Sequence, residues 1–141
     1  LRRWVIDSSV VIKWYIPEDD FAAARAFRVS QIQLAVPDLL FVELSNILWK
    51  IVRREKMQPA RAIEIIEEIV ASPFVTHTNE SLARDAIDLA LATGVSAYDA
   101  SYVALAMRLN VQCITADQKL FRMLAGTAAE DYVHLLADPI H

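Results

Sequence analysis

Five short apolar runs, separated by helix-patterned chain, constrain this sequence more than any other feature. They are RRWVID at the N-terminus, QLAV before Pro37, FVTHT, VQCIT and YVHLL. Runs of this length bounded by turn residues read as strands. Between them lie SSVVIKWYI, stopped by Pro17, the alanine-rich EDDFAAARAFRVS, LLFVELSNILWKIVRREK after Asp38, and ARAIEIIEEIVA, opened by Pro59. Asp38 is placed to cap the third of these helices. Proline suits the first turn of the fourth, where its missing N–H would have no partner. NESLARDAIDLALATG, with Asn79 as cap and Gly94 as stop, SAYDASYVALAMRL and ADQKLFRML complete the set. Strands that alternate with helices in this way belong in a parallel sheet covered on both faces. The expected fold class is therefore α/β.

The 141 residues suffice for a single domain, residues 1–141, with one substantial core. A hydrophobic content of 55% and a mean hydropathy of +0.30 argue against a disordered chain. Two glycines, no serine-rich tract and no repeat leave no sign of a linker. No apolar run approaches the roughly 20 residues that span a bilayer. No leader pattern follows Leu1, so membrane association is not expected. The single cysteine, Cys113, excludes an internal disulfide, fits a reducing cytoplasm and reads as a small core residue. A net charge of −4 and a pI near 5.3 count against a broadly basic nucleic-acid-binding surface. They leave a local one open, because an acidic cluster offsets basic patches in the sum.

In parallel sheets, chemistry collects beyond the carboxyl ends of the strands, which makes the acids there worth mapping. Asp7 ends the first run, in WVIDSSVVIKW, and is either a helix cap or one edge of a site. Asp117 in CITADQKL repeats the order of apolar strand, acid and helix, with the same two readings. Asp99, in SAYDASYVALAM, shares a helix face with Tyr102, Val103 and Ala106. That stripe faces inward, so the carboxylate needs a partner; a capping box with Ser96 is the competing local explanation. Glu43 lies beside Leu40 and Ile47 yet near Asn46 and Lys50. A solvated flank and a pocket edge are both open for it.

Four converging carboxylates would repel one another unless a cation lay among them. Hard oxygen donors favour Mg2+ or Mn2+ over zinc, and His77, His134 and His141 are too scattered to act as ligands. No glycine-rich phosphate loop, G-x-S-x-G or Cys–His arrangement offers another chemistry. Metal-assisted attack of water on a phosphodiester is what remains.

Taken together, VIDSSVVIKW, PDLLFVELSNILWK, SAYDASYVALAM and CITADQKL resemble, in this order, the PIN domain family. More narrowly they resemble the VapC-type toxins of type II toxin–antitoxin pairs. The resemblance covers essentially the whole chain. It implies a three-layer α/β/α sandwich around a parallel sheet and a Mg2+- or Mn2+-dependent endoribonuclease. It assigns the acidic quartet to Asp7, Glu43, Asp99 and Asp117, with Asp7, Asp99 and Asp117 holding metal and Ser9 and Thr115 in support. It also implies RNA as substrate, a small VapB-like antitoxin as partner, a homodimer and a cytoplasmic setting.

Lys13, Arg53, Arg54, Lys56, Lys119 and Arg122 are candidates for phosphate contacts, each weighed against ordinary solvated charge. Trp14 and Tyr15 are candidates for stacking on a base or a partner, weighed against core packing. A haloacid-dehalogenase-like phosphatase would need an acid where Ser9 stands. A receiver domain would need paired acids at the end of the first strand. The remaining alternative is a PIN-like protein-binding module whose chemistry is unused, and the complete quartet argues against it.

Overall fold

A computed structural model describes residues 2–29 and 31–140. Its five strands are β1 (Arg2–Ile6), β2 (Ile32–Pro37), β3 (Val75–His77), β4 (Cys113–Thr115) and β5 (Val133–Leu135). They form one sheet in the order β3-β2-β1-β4-β5, with every neighbouring pair parallel. Parallel neighbours need crossover connections, and the helices supply them. α1 (Ser8–Val11), continued by a 3-10 turn, and α2 (Phe21–Arg25) join β1 to β2. α3 (Leu39–Arg53) and α4 (Pro59–Ala71) join β2 to β3. α5 (Asn79–Thr93) and α6 (Ala97–Leu109) carry the chain back to β4, and α7 (Gln118–Leu124) leads on to β5. Helices cover both faces, giving the three-layer α/β/α sandwich.

The strand order places β1 at the centre. The chain builds outward from β1 to β2 and β3, then returns to lay β4 and β5 on the other side. Connections therefore leave β1 and β4 in opposite directions, which opens a crevice above their carboxyl ends. The core beneath it is formed by Trp4, Val5 and Ile6 of β1, Leu34, Ala35 and Val36 of β2, and Cys113 and Ile114 of β4, all buried. α6 lies against the sheet with α5 packed on it. Tyr102, Val103 and Ala106 are fully buried, as the inward stripe requires, and so is Leu105 on another face. A helix apolar on most of its circumference is a core helix. Among the described residues no single helix is long and apolar enough to cross a membrane.

Two local expectations are corrected. The alanine-rich segment is helical only over Phe21–Arg25, followed by a 3-10 turn over Ala26–Arg28. Asp20 enters it with φ 65°, a left-handed conformation that shuts Glu18 and Asp19 out of the helix. The capping pattern also differs. Thr78, not Asn79, caps α5, its Oγ1 accepting the Ser81 N–H at 3.1 Å. Asn79 Oδ1 instead accepts the Leu39 N–H that opens α3 (3.1 Å), and Asp38 Oδ1 accepts the Asn79 N–H (2.9 Å). Asp38 makes no side-chain cap to its own helix. Helix-end N–H groups need an acceptor, and here it comes from another element.

Candidate active site

Asp7 stands where β1 gives way to α1. Its N–H still bonds across the sheet to the Ile114 carbonyl (3.1 Å), while its own carbonyl accepts from Val10 and Val11. The backbone is that of a helix cap, but the side chain does not cap. Instead, Oδ2 accepts hydroxyl protons from Ser9 and Thr115, each at 2.8 Å. Oδ1 receives a longer contact of 3.4 Å from the Ser8 hydroxyl. The two supporting hydroxyls are themselves anchored: Ser9 Oγ accepts the Ala116 N–H (3.0 Å) and Thr115 Oγ1 the Asp117 N–H (3.1 Å). This network bridges the carboxyl ends of β1 and β4 across the crevice. Among the described residues no buried side-chain polar atom lacks a partner.

The other three acids approach from different elements. Asp117 opens α7, and its Oδ1 accepts the Leu120 N–H at 3.1 Å, so its capping reading holds. Asp99 lies in the first turn of α6, where Ser96 Oγ accepts its N–H at 3.1 Å. Glu43 projects half-buried from α3, and its Oε1 accepts the Tyr102 hydroxyl at 2.5 Å.

The acids lie within reach of one another's charge. Burial raises the pKa of Asp7, opposed by the Ser9 and Thr115 hydroxyls and reinforced by the charge of Asp117. Burial likewise raises Glu43, opposed by the Tyr102 hydrogen bond and reinforced by Asp7 and Asp99. Asp99 is pushed up to about 6 by burial, then by the charges of Asp7 and Asp117. Both of these pressures disfavour the ionised form. None of the four acids forms a salt bridge among the described residues. As placed, no three of His, Cys, Asp and Glu among those residues stand close enough to chelate a cation directly.

Residues 4–126 match the family model described as PIN domain. The chain belongs to the PIN domain family. It is 36% identical over 121 residues to Ribonuclease VapC3 of Pyrobaculum aerophilum, a span covering 84% of this chain and 92% of that relative. Two solved structures share its fold. The crystal structure of PAE2754 from Pyrobaculum aerophilum has a TM-score of 0.63 at 23% identity, covering 89% of this chain and 82% of that one. A toxin–antitoxin complex from Klebsiella pneumoniae also has a TM-score of 0.63, at 16% identity, covering 96% of this chain and 99% of that one.

Within this PIN domain, Asp7, Ser9 and Thr115 are in direct contact, and Glu43, Asp99 and Asp117 lie within electrostatic reach of them. The sequence places Tyr102 only on an inward-facing stripe and singles out no role for Ser8, yet both touch the acids. A buried phenol needs a polar partner, which was the available signal for Tyr102. Several peripheral candidates fall away. Trp14 is 4% exposed, stacks on Phe74 and donates its Nε1–H to the Ala24 carbonyl (2.8 Å), so it packs the core. Lys13 is held by Glu18 (3.3 Å) and the Asp19 carbonyl (3.0 Å). Arg53 lies over the Trp49 ring, about 15 Å along α3 from Glu43 at 1.5 Å per residue, and Arg54 and Lys56 follow it. Lys119 and Arg122 remain, exposed on α7 just after Asp117.

Proposed function

We propose that this PIN domain is a Mg2+- or Mn2+-dependent endoribonuclease and the toxin of a toxin–antitoxin pair. The observation that carries the reading is the gathering of Asp7, Glu43, Asp99 and Asp117 at the crevice without a basic partner. Such a cluster opposes its own ionisation and becomes favourable once a divalent cation joins it. The likeness to Ribonuclease VapC3 supports RNA as substrate, and the Klebsiella pneumoniae complex supports a small antitoxin as partner.

The donor set fits a hard cation. Mg2+ keeps several of its waters and binds through few carboxylates, which suits acids that converge without forming a direct chelate. When bound, the ion supplies Lewis acidity toward a phosphate and toward water. Asp7, Asp99 and Asp117 would hold it, with bridging waters completing the contacts. The Ser9 and Thr115 hydroxyls aim Asp7 by occupying Oδ2. Glu43, with its pKa raised, orients the attacking water or takes its proton. Lys119 and Arg122, exposed on α7 after Asp117, would meet phosphates beside the cluster. In-line displacement leaves a 5′-phosphate and a 3′-hydroxyl.

The test is end-mapping of cellular RNA after brief induction, with Asp7→Asn as control. Wild type should generate new 5′-phosphate ends that require Mg2+ in vitro. Asp7→Asn should generate none while unfolding at the wild-type temperature or above, because it removes a carboxylate that burial disfavours. Cleavage by Asp7→Asn at the wild-type rate under matched Mg2+ would overturn the assignment.

A further inference from the structure

We infer that Tyr102 is a positioning residue, holding one oxygen of Glu43 so that the other is presented to the acid cluster. The inference rests on the nuclease reading above. Tyr102 is 0% exposed, and a phenol in that position must find an acceptor inside the fold. It donates to Glu43 Oε1 at 2.5 Å, the short length of a hydroxyl bonded to a carboxylate. Phenylalanine would fill the same space, so the hydroxyl adds nothing to packing; what it adds is the bond to Glu43.

Glu43 needs such a hold. It sits half-buried on α3, on a flexible side chain whose alternative is to turn toward water. Tyr102 stands one helical turn after Asp99 on α6, so the bond sets how far the α3 acid lies from the α6 acid. It is the one polar link between α3 and α6 among the described residues. The phenol thus joins two of the elements that carry acids, α3 and α6.

The experiment compares wild type, Tyr102→Phe, Glu43→Gln and the double variant on an RNA that wild type cuts, with Mg2+. Tyr102→Phe should lower kcat about 10- to 100-fold, as loss of a supporting hydrogen bond commonly does, with KM unchanged. The double variant should be no slower than Glu43→Gln alone, because Tyr102 acts through Glu43. A wild-type kcat in Tyr102→Phe, or fully additive losses in the double variant, would overturn the inference and leave the nuclease reading standing. Should Tyr102→Phe lose cooperative unfolding, Glu43→Asp draws the carboxylate away from the phenol and leaves Tyr102 in place. It should show the same fall in kcat, and an unchanged kcat there would equally overturn the inference. Absence of any RNA cleavage by wild type would remove the nuclease reading and this inference together.

Discussion

The Thr115 hydroxyl donates to Asp7, accepts from the Asp117 N–H and lies 3.3 Å from Ser9 Oγ. Valine keeps its shape but leaves the Asp117 N–H without its acceptor and Asp7 Oδ2 with Ser9 alone, so Thr115→Val should cost about 1–3 kcal/mol in urea unfolding. The loss should depend on pH. A buried acid with a raised pKa keeps its proton in the folded state where the unfolded chain has released it, so stability falls as pH rises through that interval. The Thr115 hydroxyl holds the Asp7 pKa down, and removing it widens the interval. The deficit should therefore be larger near pH 7 than near pH 4; an equal deficit at both would mean that Asp7 is not the acid being held. Asp7 could be read from the sequence because a carboxylate interrupting an apolar run has few reasons to be there. Ser9 and Thr115 were named through family resemblance, since a hydroxyl beside an acid fits many turns. Tyr102 escaped because an inward stripe looks the same whether its aromatic residue carries a hydroxyl or not.

At the scale of elements, α3 and α5 share a device that neither segment shows alone. Asn79 closes the start of α3, and Asp38 accepts from the start of α5. Asn79→Ala should cost about 1 kcal/mol, the usual worth of a helix cap, even though α5 keeps its own cap at Thr78. Chemical denaturation reads that value, and an unchanged midpoint would show that solvent replaces the lost acceptor. From the local sequence each residue reads as the cap of its own helix. Local sequence cannot show that an acceptor comes from 40 residues away. The strands were easier to read, because VQCIT and QLAV have no polar stripe to suggest a helix. Helix propensity is the main signal of the alanine-rich segment and overextends it; among its described residues only Ala24 and Phe27 are buried.

The whole molecule carries the cost of gathering its acids. With Asp99 raised to about 6, and Asp7 and Glu43 raised as well, the metal-free protein should lose stability as pH rises from about 4 toward 7. Asp99→Asn should flatten that slope and raise the metal-free Tm at neutral pH. Mg2+ at about ten times its Kd should restore roughly 1.4 kcal/mol at pH 7 and less at pH 5, where protons compete for the same oxygens. A thermal series with chelator and with Mg2+ measures all three effects, and a slope unaffected by Asp99→Asn would contradict the account. Strand number and parallel direction followed from the alternation of runs, but strand order did not. A crossover helix does not state on which side of β1 the next strand will lie.

That order has a consequence for synthesis. Asp7 and Thr115 are 108 residues apart in the chain, and their hydrogen bond forms only when β4 docks beside β1. The first strand is made early and waits, without its neighbour on that side, while the chain between Asp7 and Thr115 is synthesised. The acids have no shared crevice until Asp117 has emerged. Whatever chemistry they perform cannot begin until the last of these strands has been made and has docked.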